Sequence, residues 1–340
     1  MNGWIYWGAS STGSRRGNIA IPWSSGPGTY QWPRDDAGLK DRPSSMPPQI
    51  TITGGAGFVG CHLVRRLVHD GAEVTVLDDL SAPSEMGLPG HSSLDLIEGD
   101  VRDGSAVARA LDDAALVVHM ASVVGVEAVT ADPQRTASVI LDGTAQVLEA
   151  CQARDVPLLF LSSSEVTDAP RHGPRAVYGE AKREAEALLL AAARQLPISI
   201  VRPFNIVGRG QSAPGMVLPA LAHAARAGMP LPVHGDGEQE RSFLHVEDLV
   251  DVLVDLTSRP AAPGGEVLEV GSEERLSISS LAGRLVHLAG SGAVVRSHPP
   301  CPRREDLPRR APDLAGLRRR VHFSPRWSLD AILRDALAHA

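Results

Sequence analysis

Between Gln49 and Ala340 the chain contains one tyrosine and one lysine, and they stand four positions apart as Tyr178 and Lys182. In that stretch the other permanent cations are arginines, and the other rings are Phe, Trp or His. A phenol gives and takes a proton, and an ammonium one helical turn away lowers its pKa toward the working pH. Arginine, a planar fork charged at every accessible pH, is a poor replacement for that compact head. An ordinary exposed i,i+4 helix pair would have the same spacing. The elements around the pair therefore decide between the two readings.

From Gln49 onward short apolar runs alternate with amphipathic stretches. Strands are expected at 50–53, 73–78, 94–98, 116–120, 158–162 and 198–202, and helices near 58–70, 104–111, 133–154 and 177–195. Buried strands alternating with helices mean an α/β fold, a Rossmann-type doubly wound parallel sheet over 48–202. Beyond Pro203 the rhythm loosens into Gly- and Pro-punctuated loops, with helical runs at 246–257, 278–288 and 329–338. Residues 203–340 are expected to form mainly a smaller α/β substrate domain, with segments returning to the sheet.

The first strand runs into Thr53-Gly54-Gly55-Ala56-Gly57-Phe58-Val59-Gly60 and then a helix. Glycines there allow a tight turn and let the backbone approach a pyrophosphate at the helix N-terminus. The acidic pair Asp78-Asp79 ends the second strand, where a carboxylate bonds ribose hydroxyls and repels a 2′-phosphate. This context favours NAD over NADP. Asp100-Val101, after the third strand, is placed to meet the adenine.

Composition narrows the alternatives. A formal net charge of −7 argues against nucleic acid as the main partner, and Arg318-Arg319-Arg320 reads as a solvated helix face. Cys61, Cys151 and Cys301 are odd in number without CxxC spacing, and no HxxxH or HExxH pair occurs. That pattern points to a reduced cytoplasm and no metal. No apolar run reaches the roughly 18–20 residues of a membrane span. Residues 1–47 hold Trp4, Trp7, Trp23 and Trp32 among Gly, Ser, Pro and Arg without periodicity. They read as a disordered extension, and Met46 stands where a compact enzyme could begin.

Taken together, these marks resemble the extended short-chain dehydrogenase/reductases, the branch of nucleotide-sugar epimerases, dehydratases and decarboxylases. The resemblance covers about 49–340. It rests on Gly54, Gly57 and Gly60, Asp100-Val101-Arg102-Asp103, His119-Met120-Ala121-Ser122, Ser162-Ser163-Ser164-Glu165, Tyr178 with Lys182, and Arg202-Pro203-Phe204-Asn205. Further marks are Gly235-Asp236-Gly237, Arg241-Ser242-Phe243, His245-Val246-Glu247-Asp248 and Trp327-Ser328-Leu329-Asp330.

The resemblance implies Ser163, Tyr178 and Lys182 as the catalytic set, with Glu165 beside them. It adds Met120, Ala121, Ser122, Ser162 and Pro203 to the NAD contacts. Asn205, Arg209, Val217, His234, Arg241 and Arg309 would hold a UDP-sugar. It also implies a homodimer through the helices at 133–154 and 177–195.

In such a site Tyr178 takes the proton of the sugar's C4 hydroxyl as the hydride leaves C4, and Ser163 steadies the forming ketone. Three outcomes then stay open: 4-epimerisation, loss of a C6 carboxylate as carbon dioxide, or elimination at C6. An inactive NAD sensor is a fourth reading. Glu165, two residues after Ser163, resembles the decarboxylases and dehydratases, and 173–183 is similar to UDP-glucuronate decarboxylases. Thr167, Ile140, His234 and the shifted Arg209-Gly210-Gln211 depart from them. The loops flanking Asn205 and Arg241 resemble epimerases, so a UDP-glucuronate 4-epimerase, an isomerase, is the favoured expectation and the decarboxylase the alternative.

Overall fold

The computed structural model describes residues 48–168, 173–211, 216–262, 264–299 and 311–340. The extension expected at 1–47 and residues Cys301, Arg309 and Arg310 lie outside them.

The first half runs β1 (Gln49–Thr53), α1 (Phe58–His69), β2 (Glu73–Asp78), β3 (Leu94–Glu98), α2 (Gly104–Ala110), β4 (Leu116–His119), α3 (Val126–Ala131), α4 (Pro133–Arg154), β5 (Leu158–Leu161), α5 (Glu165–Asp168), α6 (Pro174–Ala192) and β6 (Ile198–Pro203). The second half follows as β7 (Ile206–Val207), α7 (Val217–Arg226), β8 (Leu231–His234), β9 (Glu240–Ser242), β10 (Leu244–His245), α8 (Val246–Ser258), β11 (Glu266–Val270), β12 (Arg275–Ser277), α9 (Ile278–Ala289), β13 (Val295–His298), α10 (Ala315–Arg320) and α11 (Leu329–Ala338).

Seven strands form one parallel sheet in the order β11-β6-β5-β4-β1-β2-β3. Its central strands are buried on both faces, as in Leu116–His119, where all four residues are buried. Strands covered by helices on both sides need such runs rather than alternation. Between β1 and β4 the winding reverses, and this opens a crevice at the carboxyl ends of the strands. The register sets Thr53 beside Leu77 on one side and His119 on the other. The Gly54 turn, Asp78 and Met120 therefore emerge together at the crevice.

One face of the sheet is covered by α1, α8 and α10 through Leu63, Leu67, Leu249, Leu253, Leu256 and Leu317. The leucines of α8 recur at i, i+4 and i+7, so they line one face, and each such burial contributes about 1.5–3 kcal/mol. The other face is covered by α2, α4 and α6 through Val107, Val147, Leu148 and Leu189. A third apolar cluster joins α7, α9 and α11 through Leu221, Leu281, Leu285 and Leu333.

Two details differ from the local reading. Helix α6 begins at Pro174 rather than 177, because proline suits the first turn of a helix, and it ends at Ala192. Past Pro203 the regular pattern returns as β11, which pairs in parallel with β6 at the sheet edge. Helix α8 packs on α1. The arginine run of α10 is engaged in ion pairs, Arg318 with Glu273 and Arg320 with Glu266.

Candidate active site

The glycine turn is shaped by contacts that a side chain would break. Gly54 has φ +73°, and a Cβ there would lie 2.7 Å from the Ala121 nitrogen. At Gly60 a Cβ would come within 2.4 Å of the Gly54 carbonyl oxygen, so glycine is what lets α1 sit against the turn. The N-cap of α1 is Gly57, with no side-chain cap. Phe58 and Val59 thus open a helix whose N-terminal dipole and N–H groups face the crevice, suited to a diphosphate.

Asp78 closes the acidic side of this turn. Its Oδ2 accepts from the Ala56 N–H and its Oδ1 from the Leu80 N–H, both at 2.9 Å. Burial raises its pKa, and those two hydrogen bonds oppose the rise. Asp79 is paired with Arg135 of α4 at 3.0 Å. Asp100 is gripped by the Arg102 fork at 2.5 Å, which holds it below the usual carboxylate range. Its side chain is thus committed to Arg102, and Val101 is the buried member of that pair. The bare helix N-terminus, the close backbone approach at Gly54 and the carboxylate at the end of β2 fit a dinucleotide.

The catalytic candidates converge at the ends of β4, β5 and α6. The Tyr178 hydroxyl is hydrogen-bonded to Ser163 and Ser122, so the expected NAD contact Ser122 also touches the phenol. Burial pushes the phenol above its ordinary value, the Glu165 carboxylate pushes it further, and the two serines oppose both. Glu165 opens α5, with its N–H donating to Ser163 Oγ at 3.1 Å.

Lys182 is 1% exposed. Its Nζ donates to the Leu161 carbonyl at 2.8 Å and lies 4.6 Å from the centre of the Phe160 ring. Burial pulls its pKa down to about 7, against the opposing pull of Glu186. Beneath it His119 bridges Thr53 Oγ1 and Thr144 Oγ1 at 2.6 and 3.1 Å. Burial, with a smaller contribution from Lys182, takes His119 to about 3, so it is a neutral brace.

Sequence reasoning missed Glu186, whose carboxylate takes the Ser162 hydroxyl at 2.5 Å. The signal was available: Glu186 stands on the apolar stripe of Ala181, Ala185 and Leu189, where a charge is out of place.

On the substrate side, Asn205 has φ +43° and its Nδ2 donates to the Ser242 carbonyl at 2.9 Å. β7 and β10 pair beside it, so Asn205 and the Arg241-Ser242 segment come together. Arg241 is 8% exposed, and its NH1 donates to the Glu240 carbonyl at 2.6 Å. Arg209 has an exposed side chain, while its carbonyl is held by His62 Nε2 at 2.9 Å. Val217 opens α7, half-buried. His234 is exposed on β8, its ring 5.4 Å from that of His298 on β13. Pro203 ends β6, and its carbonyl accepts from the Ser164 N–H at 3.2 Å.

A dinucleotide crevice with a Ser-Tyr-Lys cluster at its mouth defines an NAD-dependent enzyme of the extended short-chain dehydrogenase/reductase class. The sequence model of the NAD dependent epimerase/dehydratase family matches residues 50–271, and the chain belongs to that family. It is 30% identical over 315 residues to the UDP-N-acetyl-alpha-D-glucosaminuronate decarboxylase of Bacillus cytotoxicus, covering 86% of this chain and 97% of that protein. It is 32% identical over 287 residues to UDP-glucuronic acid decarboxylase 1 of Xenopus tropicalis, covering 78% of this chain and 66% of that one. Among solved structures, the Bordetella bronchiseptica enzyme WbmF in complex with NAD+ superposes with a TM-score of 0.74 at 26% identity, covering 86% and 92% of the two chains.

These relatives correct one expectation. The chain was expected to be an isomerase, but curated proteins that it matches over 78–86% of its length are decarboxylases, which are lyases. The epimerase-like loops around Asn205 and Arg241 did not decide the reaction, because loops vary among proteins that share one scaffold. No helix among the described residues is long and apolar enough to cross a membrane.

Proposed function

We propose that the protein is an NAD-dependent decarboxylase of a UDP-linked uronate, with UDP-glucuronate the favoured substrate. The observation that carries this reading is the position of Glu165, two residues after Ser163 and close enough for its charge to act on the Tyr178 phenol. Relatives named as decarboxylases of UDP-linked uronates support it. Bound NAD supplies the hydride acceptor at C4 and later the hydride donor.

Tyr178 takes the proton of the C4 hydroxyl, and Ser163 donates a hydrogen bond to the same oxygen as it becomes a ketone. A C4 ketone is β to the C6 carboxylate. The C5–C6 bond then breaks with its electrons passing into the enol of C4 and C5, and carbon dioxide leaves. A proton returns to C5 and another, from Tyr178, to the C4 oxygen. In its protonated form Lys182, one helical turn away, would favour the phenolate against the burial and the Glu165 charge that raise the phenol. Asn205 and Arg241 are assigned to the sugar nucleotide, Arg241 to its diphosphate.

The reading also includes a cytoplasmic homodimer. Cys61 and Cys151 are free and buried, in keeping with a reducing compartment. Between α4 and α6 lies an open, largely apolar depression of about 240 Å³, lined by Ala137, Leu141, Val177 and Ala181 among others, which suits helix packing from a second copy.

The test is to incubate the protein with NAD and UDP-glucuronate, and separately with its 2-acetamido counterpart, and to follow products by proton NMR. Carbon dioxide and a UDP-pentose are expected. An unchanged uronate, or a rearranged one without carbon dioxide, overturns the reading.

A further inference from the structure

A charge buried on the apolar stripe of α6 needs an explanation. Glu186 is 3% exposed, and a buried ion pair is by itself a weak source of stability, because desolvation offsets the attraction. Its partners place it at a junction of three elements. Oε1 accepts from Ser162 Oγ at 2.5 Å and from Arg202 Nε at 2.9 Å, and Oε2 accepts from Arg202 NH2 at 2.6 Å. Ser162 follows β5, Arg202 belongs to β6, and Glu186 itself lies on α6, one turn after Lys182.

The consequences converge on Ser163. Lys182 and Glu186, at i and i+4, grip successive residues of one strand end, the Leu161 carbonyl and the Ser162 hydroxyl. The N–H groups of Ser162 and Ser164 donate to the Val201 and Pro203 carbonyls at 2.7 and 3.2 Å. Ser163 is therefore fixed from both sides while its own hydroxyl stays on Tyr178. We propose that Glu186 is a positioning residue of the active site: one carboxylate ties α6, the end of β5 and the end of β6 together, and so holds Lys182 and Ser163 in register with Tyr178.

The same carboxylate is the anion one turn from the Lys182 ammonium. The other titratable or charged groups nearby are His119 from β4, Tyr178 one turn before Lys182 on α6 with Glu165 of α5 acting on its phenol, and Arg202 from β6 on the Glu186 carboxylate, with Glu269 of β11 3.7 Å from the Arg202 guanidinium. Of these, Glu186 is the one that raises the Lys182 pKa against burial. The proposal rests on the Tyr178–Lys182 chemistry of the family and not on decarboxylation.

The sequence supplies a clean reporter, since the chain has two lysines, Lys40 and Lys182. In the full-length protein carrying ¹³C at the lysine ε-carbon, two signals titrate, and Lys40→Arg assigns them. With Glu186→Gln, the Lys182 midpoint is expected to fall by about one unit. Glu186→Asp, which keeps the charge but draws it back, should shift it in the same direction by less. Affinity for NAD should fall in the same order.

Neither readout uses a sugar substrate, so the result stands even if the protein proves inactive on uronates. An unmoved Lys182 midpoint in folded Glu186→Gln overturns the proposal. Failure of both variants to fold would also overturn it, by making Glu186 a structural residue.

Discussion

His62 on α1 and Arg209 in the loop after β7 are 147 positions apart in the chain, and they meet through a 2.9 Å hydrogen bond. Because the acceptor is the Arg209 carbonyl, the His62 Nε2 must carry the proton and donate it. Burial, the largest influence, holds His62 below the ordinary imidazole value, which keeps it neutral for this task. A second bond runs alongside, with Ser84 Oγ donating to the Gly210 carbonyl at 3.1 Å and the Ser84 N–H to the Ala56 carbonyl at 2.8 Å. The glycine turn and the loop carrying Arg209 are thereby tied.

His62→Phe should loosen that loop. It leaves the Arg209 carbonyl without its donor, a loss of about 1–3 kcal/mol. The expected result is a KM for the sugar nucleotide raised more than kcat is lowered, with steady-state kinetics as the measurement.

Tyr178→Phe removes the proposed proton carrier and keeps the ring. Turnover should fall by about 10²- to 10⁴-fold, while NAD binding, measured by calorimetry, persists. Full activity in that variant would sink the mechanism.

Lys182 gives a signed dependence of stability on pH. Its pKa falls from 10.5 unfolded to about 7 folded. Between those values the unfolded chain binds a proton that the native state does not, so this contribution makes stability rise with pH across the window. Each pH unit of the window is worth up to about 1.4 kcal/mol. Lys182→Met should flatten the slope, giving its largest relative stabilisation at pH 7 and below and the smallest above 10.5, as read by urea unfolding across pH.

Glu165 raises the Tyr178 pKa through its charge. Glu165→Gln should therefore let the phenol ionise at lower pH. The phenolate absorbance reports this directly, because the only other tyrosines are Tyr6 and Tyr30, and a Tyr178→Phe titration subtracts them. An unchanged midpoint would show that the carboxylate does not act on the phenol.

Gly54→Ala forces a left-handed residue and a contact of 2.7 Å with the Ala121 nitrogen. A cost of about 1–3 kcal/mol is expected from the backbone alone. The unfolding temperature should fall, and NAD affinity with it, since the same turn is assigned to the dinucleotide.

The residues that were legible in the chain were those whose partners are local. The glycine turn with its flanking strand and helix is one continuous segment, and Tyr178 and Lys182 share one helical turn. Glu186 was local too, and its place on the apolar stripe of α6 was a signal passed over, because a glutamate at i+4 from a lysine also fits a solvated pair. Arg209 was carried over from the family resemblance in a shifted register, and the structure engages its backbone and leaves its side chain exposed.

The sequence by itself determined the alternation of strand and helix, the glycine turn between β1 and α1, and the Tyr178–Lys182 spacing, because backbone periodicity and helical spacing act over a few residues. Only the tertiary structure decided that Ser122 and Ser163 share the Tyr178 hydroxyl, that β11 returns to the sheet edge beside β6, and that one carboxylate on α6 ties the ends of β5 and β6. Those contacts join strands far apart in the chain. Parallel pairing and helix packing select them, and no local pattern encodes which distant segment arrives.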